Sequence, residues 1–116
     1  MIKDFLILNF IGKDNKVGLR VNKNFFIHDF DQNADNDKLV ESILNLIKKH
    51  KVILNNKFSI IVNNGPGSFS SIRTSFSIAK GIKITKNINL YSFNNSDLAE
   101  FDLENIEILI AKGLIQ

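Results

Sequence analysis

The residues Phe58 to Val62 form an unbroken apolar run that passes straight into Asn63-Asn64-Gly65-Pro66-Gly67, where two glycines flank the only proline of the chain. A run of this length without polar alternation reads as a strand covered on both faces, the situation of a parallel strand in a layered α/β domain. Neither a helix nor a strand continues through Gly-Pro-Gly, so a tight loop follows. Beyond it, Ile72, Phe76, Ala79 and Ile82 recur at helical spacing up to about Ile84, with Ser68 and Ser70 as capping residues. A strand, a glycine loop and a helix therefore stand in order, in a chain of 116 residues that has room for one domain.

The remaining elements follow from the same two periodicities. Phe5 to Phe10 and Val17 to Val21 flank a turn at Gly12 to Lys16, and Phe25 to Phe30 follows the Asn22-Lys23-Asn24 break, which predicts three consecutive antiparallel strands. Leu39, Val40, Ile43, Leu44 and Ile47 repeat at helical spacing, with Asn36 or Asp37 as N-cap and Lys48, Lys49 and His50 at the C-terminus, where His50 is expected to meet the last carbonyls. Leu90 to Phe93 predicts a further strand, Ser96 to Phe101 a helical turn capped by Ser96, and Ile106 to Ala111 a last strand. Three strands, then helix, strand, helix, strand is the order of a ribonuclease H-like or actin-like half-domain, an α/β fold with a mixed sheet.

Composition narrows the chemistry. With no Cys there is no disulfide framework, no thiolate nucleophile and no Cys-ligated zinc. A 44% hydrophobic content with ten Phe supplies a core. No apolar run reaches the ~20 residues of a membrane-spanning helix, and Asp4 interrupts what would be a signal's apolar stretch, so the expected location is the cytoplasm. The net charge of +3 invites a nucleic-acid reading. Against it, the lysines are scattered along the chain, Arg is nearly absent, and Ile, Asn and Lys are abundant together as A/T-rich codons dictate.

Candidate catalytic groups are thin. His28 lies in an apolar strand beside Asp29 and reads as structural, and Ser68 has no G-x-S-x-G elbow around it. Asp29, Asp31, Asp35 and Asp37 read as a solvated loop with caps, and no metal or cofactor is assigned. The stretch Asn63 to Arg73 presents free N–H groups and the positive end of a helix dipole, so it suits an anion or the approach of another backbone. Gly65 and Gly67 are expected to take backbone angles unfavourable to a Cβ, Pro66 to fix the turn, and Arg73 to face outward from the first helical turn. Both helices carry apolar stripes wider than one sheet face demands: residues 39, 40, 43, 44, 46 and 47 on the first, and 72, 76, 78, 79, 82 and 84 on the second.

GPGSFSSIR with the following Ala79-Lys80-Gly81 resembles the signature of the TsaB (YeaZ) family, partner proteins in bacterial tRNA threonylcarbamoyladenosine biosynthesis. The matching residues are Gly65, Pro66, Gly67, Ser68, Phe69, Ser70, Ile72, Arg73, Ala79 and Gly81, while Ser71 replaces the usual Gly. The resemblance covers the N-terminal half-domain of that family. It implies residues 1–116 as one such half-domain, with Ile106 to Ala111 as the first strand of a second half that is otherwise missing. It further implies a non-catalytic role, docking through the two helices onto the catalytic TsaD-type subunit or a second TsaB-like chain. Leu44, Ile47, Phe76, Lys80 and Gly81 stand at that interface, and tRNA is reached only through the complex. The alternative is a stand-alone actin-like hydrolase or phosphotransferase with Ser68 and Arg73 at its site.

Family members end their first strand in Asp-Thr-Ser or similar, where this chain has Asn9, Phe10 and Ile11. An amide and two apolar groups replace the carboxylate and hydroxyls that would hold Mg²⁺ and phosphate. Calorimetry on the isolated chain is therefore expected to register no Mg-dependent ATP binding in the micromolar range; such binding would overturn the loss of the phosphate loop.

Overall fold

The computed structural model describes residues 2–11, 15–30, 35–67 and 69–116. Residues 12–14 of the expected first turn, Asp31 and Ser68 lie outside the described residues, as do the side chains of Phe69 and Ser70. Three strands open the chain, β1 (Asp4–Asn9), β2 (Asn15–Val21) and β3 (Asn24–Phe30), followed by α1 (Asn36–Lys49), β4 (Phe58–Asn63), α2 (Phe69–Lys86), β5 (Asn89–Phe93) and α3 (Leu103–Ala111). The sheet order is β3-β2-β1-β4-β5. β1, β2 and β3 pair antiparallel, while β1, β4 and β5 run parallel. Asn22 and Lys23, with φ of 52° and 70°, make the two-residue β2–β3 turn, whose left-handed conformation matches the twist of the strands it joins.

Period-two alternation divides the core between the two faces of this sheet. Leu6, Leu8, Val17, Leu19, Phe58, Ile60 and Val62 are buried on one face against Leu39, Ile43, Leu46 and Ile47 of α1 and Ile78, Ala79 and Ile82 of α2. Phe5, Ile7, Ile61 and Phe93 are buried on the other face beneath Ile106 and Leu109 of α3. Every residue of β4 is buried, as its apolar run requires. The architecture is a mixed α/β fold with a five-stranded sheet and helices on both faces. No helix among the described residues is long and apolar enough to cross a membrane.

The structure corrects three expectations. The Ile106–Ala111 segment is helical and not a strand: Asp102 caps the helix by accepting from the Asn105 backbone N–H at 2.8 Å, and buried Ile106 and Leu109 lie one turn apart with exposed Glu107 and Ile108 between them. A short apolar segment does not separate a buried helix from a strand, and here the cap decides. The N-cap of α1 is Asp35, one residue before the expected Asn36 or Asp37, with its Oδ1 accepting from Lys38 N at 2.9 Å. A 3₁₀ turn at Asn95–Asp97 stands where a turn capped by Ser96 is expected, with Asn94 in the cap position.

The glycine of β2 sets a tight spot on the α3 face. A Cβ at Gly18 would lie 2.8 Å from Ile7 Cγ2 and 2.9 Å from Phe25 Cζ, closer than packed carbons come. Gly18→Val is expected to lower the free energy of unfolding by about 1 to 3 kcal/mol through overpacking, read from urea denaturation.

Candidate functional site

β1 and β4 are neighbouring parallel strands, so their carboxyl ends emerge side by side with Asn9 and Asn63 as the last residues. The Asn63 side chain is 1% exposed and fully engaged. Its Nδ2 donates to Asn9 Oδ1 at 2.8 Å and to Asn95 Oδ1 at 2.9 Å, and its Oδ1 accepts from Gly65 N at 2.9 Å. Two backbone bonds run beside it, Asn64 N to the Phe93 carbonyl at 2.8 Å and Asn95 N to the Gly65 carbonyl at 2.7 Å. One amide thus joins the end of β1, the glycine loop and the turn after β5.

The loop itself follows from this anchoring. Gly65 has φ of +87°, and a Cβ there would meet Ile72 Cδ1 at 2.8 Å and Gly67 N at 3.0 Å, so position 65 demands glycine twice over. Gly67 departs from expectation because its φ lies outside the left-handed region, and what limits it is the Ile11 side chain, which a Cβ at position 67 would meet at 2.7 Å. The Gly65–Pro66 peptide is cis. Arg73 is exposed as expected, but in the second turn of α2 and not the first, and it makes an interaction within the chain. The three residues in the place of the phosphate-binding segment all serve the fold: Asn9 accepts from Asn63, Phe10 is buried in the core, and Ile11 packs on the loop.

A second feature lies on the outer side of the helical layer. Val40, Leu44, Thr74, Ser77, Ile78, Gly81 and Ile82 line a groove of about 290 Å³ between α1 and α2. Leu44 and Gly81 of the expected interface stand in it, and Leu44 remains 46% exposed. Ile47 does not belong there: it is buried in the core, because its position on α1 faces the sheet with Ile43. Phe76 is half-buried, with Lys80 Nζ 5.8 Å from its ring centroid. Thr74 and Ser77 are groove residues that an apolar-stripe reading passes over because they are polar.

The histidines gather elsewhere. The His50 ring stacks on Phe26 with centroids 4.1 Å apart, and His28 meets it edge-on at 6.2 Å. The backbone N–H of His50 donates to the Leu46 carbonyl at 3.2 Å and that of Lys51 to the Lys48 carbonyl at 3.1 Å, so backbone groups close the end of α1 while the His50 ring stacks on Phe26, which corrects the expected role. Burial first, and then the nearby His50 and Lys49, push the His28 pKa below the ordinary imidazole value, against the pull of Asp29. Of the acidic cluster, Asp35 is spent as the α1 cap and Asp37 sits in its first turn. Among the described residues no group of three or more His, Asp and Glu side chains forms a metal site.

No protein-family profile and no curated protein sequence matches the chain. Among solved structures it is similar to a protein of Pseudomonas aeruginosa described as uncharacterized with similarity to peptidase YeaZ, at TM-score 0.69 and 19% identity, over 84% of this chain and 44% of that one. It is also similar to YeaZ from Pseudomonas aeruginosa, at TM-score 0.66 and 20% identity, over 84% of this chain and 45% of that one. The chain has a YeaZ-like fold and spans less than half the length of either structure.

Asn63→Leu leaves the Asn9 and Asn95 oxygens and the buried Gly65 N–H without their partner. It is expected to cost about 2 to 4 kcal/mol in urea unfolding, whereas Asn94→Leu, at an exposed position without a side-chain cap bond, is expected to stay within about 0.5 kcal/mol of the parent.

Proposed function

We propose that this chain is a TsaB-like half-domain of the ribonuclease H-like, actin-like class, acting as a non-catalytic partner in tRNA threonylcarbamoyladenosine modification. It docks through α1 and α2 onto a TsaD-type catalytic subunit in the cytoplasm. Three things support this reading: the GPGSFSSIR signature, the YeaZ-like fold, and the groove between the two helices. The groove is the observation that carries it. The adjoining residues Val40 and Leu44 present apolar surface that α1 does not use against its own sheet, and burying a side chain of this size stabilises by about 1.5 to 3 kcal/mol.

The chemistry of the groove suits a helix from the partner. Its floor is apolar, Ile78 and Ile82, and its rim carries the hydroxyls of Thr74 and Ser77, which give a docked helix polar contacts for register. Gly81 removes a side chain at the rim, so a second backbone approaches α2 closely. The loop at Gly65 to Gly67, pinned by Asn63, fixes where α2 starts and hence the width of the groove. In this role the chain moves no proton and binds no cofactor; threonylcarbamoyl transfer belongs to the partner.

Gly81 separates docking from folding. A Cβ there meets nothing within 4 Å and the residue is exposed, so Gly81→Leu replaces the poorest ordinary helix former by one of the best. The variant is expected to melt at or above the parent temperature, gaining up to about 1 kcal/mol, while losing TsaD binding and self-association in sedimentation and pull-down assays. A parent chain that stays monomeric and fails to retain TsaD, or a Gly81→Leu variant that binds like the parent, refutes the docking role.

A further inference from the structure

The lysines that are scattered in sequence are gathered in space. β1, β4 and β5 begin at one end of the sheet, and each crossover helix returns the chain toward that end, so the last turns of α1 and α2 lie there together. α1 brings Lys48, Lys49 and Lys51 with Lys57 in the segment leading into β4. α2 brings Lys83 and Lys86. Antiparallel pairing of Phe5 with Arg20 adds Arg20 and the β2–β3 turn residue Lys23, beside Lys3. Asp4 and Glu107 are carboxylates at this same end. The opposite end, where the three helices start, carries Asp35, Asp37, Glu41, Asp97, Asp102 and Glu104 against Lys16, Lys38 and Arg73.

Helix dipoles account for part of this polarity and not for its size. Each helix C-terminus carries about half a negative charge, so three of them attract little more than one lysine's worth of charge. The cations at this end exceed that several-fold, and Lys3, Arg20, Lys23 and Lys57 are not on helices. A/T-rich codons explain how many lysines the chain has, but they do not sort them to one pole.

A built concavity lies within the basic pole. Between α3 and the sheet is a cleft of about 1190 Å³ whose walls include Lys3, Arg20, Lys57 and Tyr91 together with the carboxylates Asp4 and Glu107. Arg20 Nη1 donates to the Lys3 carbonyl at 3.2 Å, while its Nε is buried with no hydrogen-bond partner among the described residues. The Nε is sealed from solvent, so an anionic oxygen entering the cleft meets the outer guanidinium nitrogens of the half-buried Arg20.

We propose that this pole binds the phosphate backbone of single-stranded RNA, with a phosphate on Arg20 in the cleft and flanking phosphates on the lysines of the α1 and α2 ends. Lys3, Arg20 and Lys57 outnumber the two carboxylates of the cleft, Asp4 and Glu107, and together with the aromatic Tyr91 they suit a single strand whose bases turn into the cleft, which a duplex does not offer. Lysine-dominated contacts give backbone binding without base selection, consistent with the scarcity of Arg. An anionic membrane is the poorer fit, because the exposed apolar residues at this end, Ile53 in the segment before β4 and Ile84 on α2, do not form the continuous apolar face of an interfacial helix. The inference rests on the placement of charge and on the Arg20 cleft, and is independent of the docking role of the α1–α2 groove.

The test is fluorescence anisotropy of a labelled single-stranded RNA oligonucleotide with the full chain between about 50 and roughly 200 mM salt, the range over which phosphate contacts weaken steeply. Affinity is expected to fall as salt rises. The Lys48→Gln/Lys49→Gln/Lys51→Gln triple variant is expected to bind at least about tenfold more weakly, with a log–log salt slope shallower by about 2, near 0.7 per lost contact. Arg20→Gln is expected to weaken binding on its own, and Lys16→Gln/Lys38→Gln at the other end is expected to bind like the parent. Circular dichroism melts on each variant separate binding loss from unfolding. Absence of RNA binding by the folded parent overturns the proposal. So does salt-independent binding, equal loss in the Lys16/Lys38 control, or tighter binding to phosphatidylglycerol vesicles than to RNA.

Discussion

The buried Asn63 amide holds the carboxyl end of the sheet together, and the rest of that end is arranged around it. Its two N–H groups and its oxygen reach three separate segments, the end of β1, the glycine loop after β4 and the turn after β5. A carboxylate in its place has no donor for either Asn9 or Asn95, and an apolar residue satisfies nothing, so the position admits an amide or little else. Because Asn9 is itself neutral and committed to Asn63, the ends of β1 and β4 are closed by amide-to-amide bonds. The Gly65 N–H is fixed by the same side chain, which sets the left-handed turn at Gly65 and the direction in which the chain enters α2.

From that entry direction follows the layer of two helices. α1 and α2 lie on one face of the sheet and leave a groove between them, while the shorter α3 covers the other face. The groove exists because Val40 and Leu44 continue the apolar surface of α1 beyond the stripe that the sheet buries, while α2 faces them with the small or polar Thr74, Ser77 and Gly81 above its core residues Ile78 and Ile82. Leu44 illustrates the division: it shares α1 with Ile43 and Ile47, yet those two face the sheet and Leu44 faces out. The same crossover geometry sends the carboxyl ends of α1 and α2 to one pole. Local preference for lysine in a last helical turn is then added up by topology into a field that no single helix would produce.

Much of this is legible in the sequence where one periodicity applies without competition. The helical spacing from Leu39 to Ile47 and the punctuation at Gly65-Pro66-Gly67 each admit one reading, and the apolar run Phe58–Val62 is decided as a strand by the Gly-Pro-Gly that stops it; each forms as read. Ile106–Ala111 defeats such a reading because a short apolar segment suits a strand or a buried helix equally, and the deciding Asp102 cap is a single polar residue upstream. Asn63 and Asn95 escape it because the chain is rich in asparagine and nothing local marks the two that are central to the site. Asn9 and Asn95 lie 54 and 32 residues from Asn63 along the chain, so no window of sequence contains the site.

The sequence by itself determined the strands and helices from β1 to β5, that the core is aliphatic and phenylalanine-rich, and that the Gly65–Gly67 loop interrupts them, but not the helical state of Ile106–Ala111. Those are properties of neighbours along the chain: pleat, helical turn, capping and the backbone freedom of glycine. Only the tertiary structure decided which exposed residues share a surface. Parallel pairing of β1 with β4 brought Asn9 to Asn63, placement of α1 beside α2 made a groove, the crossover connections drew the lysines of the α1 and α2 ends together, and antiparallel pairing of β1 with β2 added Arg20 to the same end of the sheet. Charges and hydrogen-bonding groups act through space over a few ångströms, and the fold alone sets those distances.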